Sequence, residues 1–121
     1  IPAGIVSKAL STVVRQREAL YYVMTGETFD GKRAAQIGMV TESVPRAKLR
    51  ERTIEIARVL MKKNPNVLRQ AKTAIRRGLD VDLRTGLAIE IEAYNRTVVT
   101  EDRLEGVRAF GEKRKPVFKG R

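Results

Sequence analysis

The stretch TEDRLEGVRAFGEKRKPVFKGR, from Thr100 to Arg121, is the part of the chain from which the rest can be read. Thr100 is a helix N-cap by chemistry, because its hydroxyl can accept from an orphan N–H of the first turn. Glu101 and Asp102 then put negative charge at the positive end of the helix dipole. Leu104, Val107 and Phe110 recur every three residues and predict one apolar stripe that docks a short helix. Lys113, Arg114 and Lys115 place cations at the far end, and Pro116 is expected to stop the helix. Local physics alone reads the stretch as a docked terminal helix with a solvated basic end.

The same residues resemble something more specific. The pattern EDRxEGxxAFxEKRxPxFxG, starting at Glu101, is similar to the C-terminal signature of the enoyl-CoA hydratase/isomerase (crotonase) superfamily. A second stretch, MTGETFDGKRAAQIGMVTESVP from Met24 to Pro45, resembles that family's internal TG…A…A…GLV…VVP segment. The motifs stand in the family's order, and with the helices between them the resemblance covers nearly the whole chain. The segment VSKA, Val6 to Ala9, is similar to one in the hydroxycinnamoyl-CoA hydratase-lyase subgroup. It stands where many members carry a Gly-Gly pair.

Composition bounds the chemistry independently. The chain has 121 residues, no Cys and no His, and a net charge of +11. That length allows one domain or less with a core of its own. Without Cys there are no disulfides and no thiolate zinc site, and without His the commonest general base and metal ligand is missing. The charge favours anionic partners: nucleic acid, an acidic membrane surface or a phosphorylated small molecule. No apolar run reaches the length of a membrane span and no signal peptide is visible, so the chain is expected to be cytoplasmic.

In chain order, Ile5 to Val14 and Arg17 to Thr25 read as short helices, with Gly26 as a left-handed terminus to the second. Tyr21 and Tyr22 are read as core and rim before they are read as an aromatic-substrate site. Asp30 caps a third small helix that Gly38 ends. Met39 to Val44 alternates between Gly38 and Pro45, which makes it the one strand candidate, or else an extended connector, because a single strand makes no sheet. A long helix is expected over Arg46–Lys63 with Leu49, Ile56 and Leu60 on its buried face, and Asn64-Pro65 breaks it. Asn64 or Asn66 caps the next helix, carrying Leu68, Ala71, Ile75 and Leu79, and Gly78 closes it. The last long helix, Asp82 to Val98, carries Leu83, Leu87, Ile91 and Tyr94, with Gly86 as a local weakness. The fold expected is therefore mostly α: the helical C-terminal half of a crotonase-like α/β fold, with at most one short strand. Residues 1–45 would close the crotonase core, and residues 46–121 would form a helical region for CoA contact and oligomerisation.

Function is expected to follow the same division. Glu90 and Glu92 lie on different helix faces and are read as surface charges, so no catalytic residue and no metal ligand is assigned. In the resembled family the two acid/base glutamates and the oxyanion-holding N–H pair precede an "IP" like Ile1-Pro2. The chain is accordingly expected to be the second half of a longer protein, inactive alone, with the N-terminal half as its partner. The resemblance implies that Phe110 packs near the adenine of coenzyme A and that Lys113 approaches its phosphates or adenine, with Ala3 near the thioester. For Phe110, core packing is the competing reading; for Ala3, a plain helix N-terminus is. No cofactor is held permanently; coenzyme A arrives as part of an acyl-CoA substrate, and a homotrimer or hexamer is implied. The rival from composition is a basic helical module that binds nucleic acid or serves assembly, through Arg76-Arg77 and Lys113-Arg114-Lys115. Its basic residues are spread over several helices, and neither a helix-turn-helix nor an RNA-binding signature is present.

Overall fold

Local capping chemistry sets most of the helix boundaries. The computed structural model describes residues 6–121. Ala3 lies outside the described residues. The helices are α1 (Val6–Val13), α2 (Gln16–Thr25), α3 (Gly31–Gln36), α4 (Leu49–Met61), α5 (Pro65–Gly78), α6 (Leu83–Val98) and α7 (Glu101–Gly111), with a 3₁₀ turn at Arg46–Lys48 before α4. Asp30 accepts from the Arg33 N–H, Asn64 from those of Asn66 and Val67, Asp82 from that of Thr85 and Thr100 from that of Arg103. Each is a short polar side chain satisfying donors that the first turn leaves unpaired. The chain is mostly helical, as expected.

Two compact units divide it, one up to Arg52 and one from Thr53 to Arg121. In the first, Leu10, Val14, Ala19 and Ile37 form a small core, with Tyr22, Val23 and Phe29 packed against it. The Tyr22 ring lies 4.5 Å from that of Phe29, and the Tyr21 ring meets Tyr22 edge-on at 5.3 Å. The Tyr22 hydroxyl accepts from Arg33 Nε at 3.0 Å, and Arg33 also pairs with Glu18 at 2.8 Å. Tyr22 is therefore a core residue with its polar tip satisfied, and Tyr21 is its rim.

The strand candidate is not a strand. Met39 to Val44 is bend and irregular backbone, and no strand occurs among the described residues. The N–H groups of Met39 and Val40 are drawn back to the Ala34 carbonyl at 2.9 and 3.4 Å, so the segment starts as the wrap-up of α3. With no neighbouring strand to pair with, alternation alone leaves it an extended connector.

In the second unit α5 and α6 form a helical hairpin around the turn Leu79–Asp82. A Cβ placed on Gly86 would stand 3.8 Å from the Cα and carbonyl oxygen of Gly78, so glycine faces glycine where the helices meet. Asn64, at the break before α5, is buried.

Two expectations about burial are corrected. Leu49, Ile56 and Leu60 on α4, expected on its buried face, are exposed. Ile75 and Leu79 on α5 and Leu83, Leu87, Ile91 and Tyr94 on α6, for which only the periodicity is read, are exposed too. In α7 the stripe Leu104–Val107–Phe110 faces solvent, and the buried side carries Asp102 and Ala109. The reason for α7 is the course of the tail, which returns along the Asp102–Glu105–Ala109 side of the helix and covers that face, leaving the apolar stripe on the opposite, exposed one. The helix also ends at Gly111, before the basic cluster rather than at Pro116.

Candidate functional site

The site candidates sit where α7 ends and the chain doubles back. Glu112 donates to the Arg108 carbonyl at 2.9 Å, Lys113 to that of Phe110 at 3.2 Å and Arg114 to that of Ala109 at 3.0 Å. The last two form the six-to-one and five-to-two pair of a Schellman cap, whose C′ residue must be left-handed. That residue is Lys113, with φ 54°. Gly38 fills the same role after α3 with φ 81°, and Gly26 ends α2 with φ 69°. Lys113 is the one non-glycine with positive φ among the described residues. It is exposed, and Phe110, one turn earlier, is 88% exposed. Within this chain Phe110 is therefore not a core residue. An aromatic face and an ammonium stand free at one helix end, joined through the Lys113–Phe110 backbone bond.

Carboxylates on α7 hold the returning tail. Glu105 receives Arg114 through Nη1 at 2.6 Å and Nη2 at 3.0 Å, and its Oε1 also accepts from the Val117 N–H at 2.9 Å. The Arg114 hydrogen bonds, followed by that of Val117, pull the Glu105 carboxyl down to about 2. Arg114 Nε donates to Glu112 at 2.5 Å, and the bonds to Glu105 and Glu112 hold the guanidinium charged more firmly than usual. One turn earlier Asp102 is only 2% exposed. Its carboxylate oxygens accept from the N–H groups of Lys119 at 2.7 Å and Gly120 at 2.8 Å, while its own N–H donates to the Arg121 carbonyl at 2.9 Å. Arg121 in turn pairs with Glu101 at 3.0 Å.

Sequence reasoning read Asp102 as dipole charge and gave Glu105 no role. The signal was present in the face Asp102–Glu105–Gly106–Ala109, spaced by three and four and made of acids and small residues. Gly106 leaves the Phe118 ring 3.8 Å from where a Cβ would stand. Such a face suits a backbone lying against a helix.

A second concave feature is a cleft of about 670 Å³ along the α5–α6 hairpin, lined by residues such as Val67, Ala74, Leu87 and Tyr94. Gln70 Oε1, on its wall, is buried with no hydrogen-bond partner among the described residues. No group of three or more metal-ligating side chains converges among the described residues, and no described helix is long and apolar enough to cross a membrane.

Comparison with known proteins matches this arrangement to one family. The enoyl-CoA hydratase/isomerase family model matches residues 1–121. Hydroxycinnamoyl-CoA hydratase-lyase from Pseudomonas fluorescens is 57% identical over 76 residues, 63% of this chain and 28% of that protein. Human mitochondrial methylglutaconyl-CoA hydratase is 36% identical, with 99% of this chain and 37% of that protein aligned. The crystal structure of enoyl-CoA hydratase from Bacillus anthracis superposes with a TM-score of 0.91 at 39% identity, covering 100% of this chain and 47% of that one. The chain belongs to the enoyl-CoA hydratase/isomerase family. It spans less than half the length of each of these relatives.

Proposed function

We propose that this chain is the coenzyme A-gripping and assembly half of an enzyme that hydrates 2-enoyl-CoA thioesters. The observation that carries the proposal is the free pair at the end of α7: Phe110 and Lys113, left exposed by a tail that is otherwise tied down. An aromatic face stacks on a purine, and an ammonium is a compact point-charge partner for phosphate. Coenzyme A offers both, and arrives as part of the substrate rather than as a resident cofactor. Ala3 would lie near the thioester.

The chemical step falls to the half that precedes this chain in the family. There an oxyanion hole polarises the thioester carbonyl, and glutamates add water across the Cα=Cβ bond or remove it. The present chain supplies no such pair, so alone it is inactive. Residues 1–45 complete the core of that half, and residues 46–121 form the CoA-contacting and oligomerising region. Its exposed apolar faces on α4, α5, α6 and α7 are support for this reading, since contiguous exposed apolar surface marks sites of protein contact. The partners are the N-terminal half and further copies, in a cytoplasmic homotrimer or hexamer.

A second substrate reading, hydration followed by retro-aldol cleavage of hydroxycinnamoyl-CoA, is favoured by the similarity to the hydratase-lyase.

The test is Lys113→Ala in the intact protein, with crotonyl-CoA and a hydroxycinnamoyl-CoA as substrates. A lost charge-assisted contact raises KM by roughly tenfold to a hundredfold. The turnover number stays nearly constant, because the contact is equal in ground and transition states. Lys63→Ala is the control for bulk charge. Equal, salt-dependent losses in both variants, or retention on DNA without retention on a CoA resin, would overturn the assignment in favour of a basic surface.

A further inference from the structure

Lys113 is an anomaly in its own chain. Two other helices end in a left-handed residue, and both use glycine, at Gly26 and Gly38. The end of α3 repeats the α7 hydrogen-bond pattern: Gly38 donates to the Ala35 carbonyl at 3.2 Å and Met39 to that of Ala34 at 2.9 Å. The geometry after α7 is therefore one the chain elsewhere gives to glycine, and here it is imposed on a residue with a long side chain. A left-handed backbone is disfavoured for an L-residue by its Cβ, so something must hold it.

What holds it is visible. Glu105 grips the tail on both sides of Pro116, through the Arg114 guanidinium at 2.6 and 3.0 Å and the Val117 N–H at 2.9 Å. The chain reverses between Gly111 and Arg114 on its way to those bonds, and the left-handed residue of the reversal is Lys113. Glu105 is 19% exposed at its side chain and Arg114 39%, so the clamp is partly shielded from water and two-pronged, the geometry in which an ion pair holds best.

Resting on the coenzyme A reading above, we infer that Glu105 and Arg114 are positioning residues for Lys113: their clamp fixes the left-handed turn that presents its ammonium to the phosphates of the thioester substrate. Released from the clamp, Lys113 would occupy that region on the order of a tenth of the time. Apparent affinity falls with the populated fraction, so unclamping raises KM by up to about tenfold.

The sign of the effect separates this from bulk electrostatics. The chain carries a net charge of +11, and deleting Glu105 makes it more positive. General charge attraction then predicts tighter binding of an anionic thioester, whereas lost positioning predicts weaker binding. The experiment is a double-mutant cycle in the intact protein: wild type, Glu105→Ala, Lys113→Ala and the pair, with KM for crotonyl-CoA and Kd for free coenzyme A. Glu105→Gln, which keeps an acceptor for the Val117 N–H, serves as the milder variant should Glu105→Ala unfold.

We expect Glu105→Ala to raise KM roughly three- to tenfold with Lys113 present and less than about twofold with Lys113 absent, because a residue acting through another adds nothing once that other is gone. Glu105→Gln should lie between. In parallel, the backbone chemical shifts of Lys113 should leave the left-handed range in Glu105→Ala. Unchanged or tighter binding overturns the inference, and so does an equal loss in both Lys113 backgrounds. If Lys113→Ala itself leaves KM and Kd unchanged, the coenzyme A reading fails and the inference with it. A loss in Lys113→Ala with none in the Glu105 variants sinks the inference alone.

Discussion

Asp102, in the first turn of α7, accepts a 2.8 Å hydrogen bond from the backbone N–H of Gly120, eighteen residues later. Gly120 has φ 81°, and its backbone comes close enough to Pro65 that a Cβ there would lie 3.3 Å from the ring. A buried carboxylate thus closes the chain terminus onto the helix that starts the motif. Asp102→Ala should cost about 1–3 kcal/mol of stability, since it strips the acceptor from partly buried N–H groups. Urea unfolding measures the cost, and amide exchange at Lys119 and Gly120 locates it. Asp102→Asn, which keeps one acceptor oxygen, should cost less. Retention of slow exchange at Gly120 in Asp102→Ala would show that the carboxylate does not hold the tail.

Glu105 gives a pH dependence with a definite sign. Its carboxyl is pulled from 4.5 to about 2 in the folded chain. A group with a depressed folded value contributes stability above its unfolded value and loses it as pH falls through the folded one. The stability difference between wild type and Glu105→Gln should therefore be constant from neutral pH to about 5 and shrink between about 4.5 and 2. Denaturation midpoints of the two proteins across that range test it, and a carbon NMR titration of Glu105 gives the value directly. A difference independent of pH down to the lower limit would contradict the clamp.

The caps were legible in the residues because capping is local. Asp30 and Thr100 act on the first turn beside them as expected, Asn64 is the one of the two Asn candidates that caps α5, and the αL role of Gly26 follows from the same short-range geometry. Asp82, read only as the start of its helix, proves to be its cap. The direction of burial was not legible. Leu104, Val107 and Phe110 have the spacing of a core stripe, yet α7 turns that stripe outward because Asp102 and Glu105 bind the returning backbone on the other side. Periodicity shows which residues share a face, not what covers it. The basic run Lys113-Arg114-Lys115 was misread for a related reason: Arg114 is spent on Glu105, nine residues back, a pairing no local rule reports.

Gly86 looks like a defect inside α6, and the hairpin gives it a testable setting. A Cβ there would meet Gly78 Cα and carbonyl oxygen at 3.8 Å and Val81 Cγ2 at 3.9 Å, which is ordinary van der Waals contact. Nothing must move to admit a methyl group, and the φ is helical. Gly86→Ala should therefore recover most of the propensity difference, up to about 1 kcal/mol. For a chain of this size that is a rise of up to about 4 °C in Tm, read by circular dichroism. A fall in Tm would mean that the α5–α6 crossing requires glycine.

Lys113 allows strain and charge to be separated with a pair of variants. Its backbone at φ 54° costs an L-residue about 1–2 kcal/mol relative to a right-handed one. Glycine removes that cost but adds about 0.5–1 kcal/mol of chain entropy to be lost on folding. Lys113→Gly should accordingly be more stable than wild type by up to about 1.5 kcal/mol. Lys113→Ala keeps a Cβ and keeps the strain, so its stability should match that of wild type. Both variants lose the ammonium, and both should show the same rise in KM for an acyl-CoA substrate. The stability order is then glycine above lysine and alanine, while the affinity order puts lysine first. Chemical denaturation and steady-state kinetics on the same preparations give both orders. A Lys113→Gly protein less stable than wild type would show that the lysine stem packs in a way that outweighs its backbone, and the left-handed turn would then need no functional explanation.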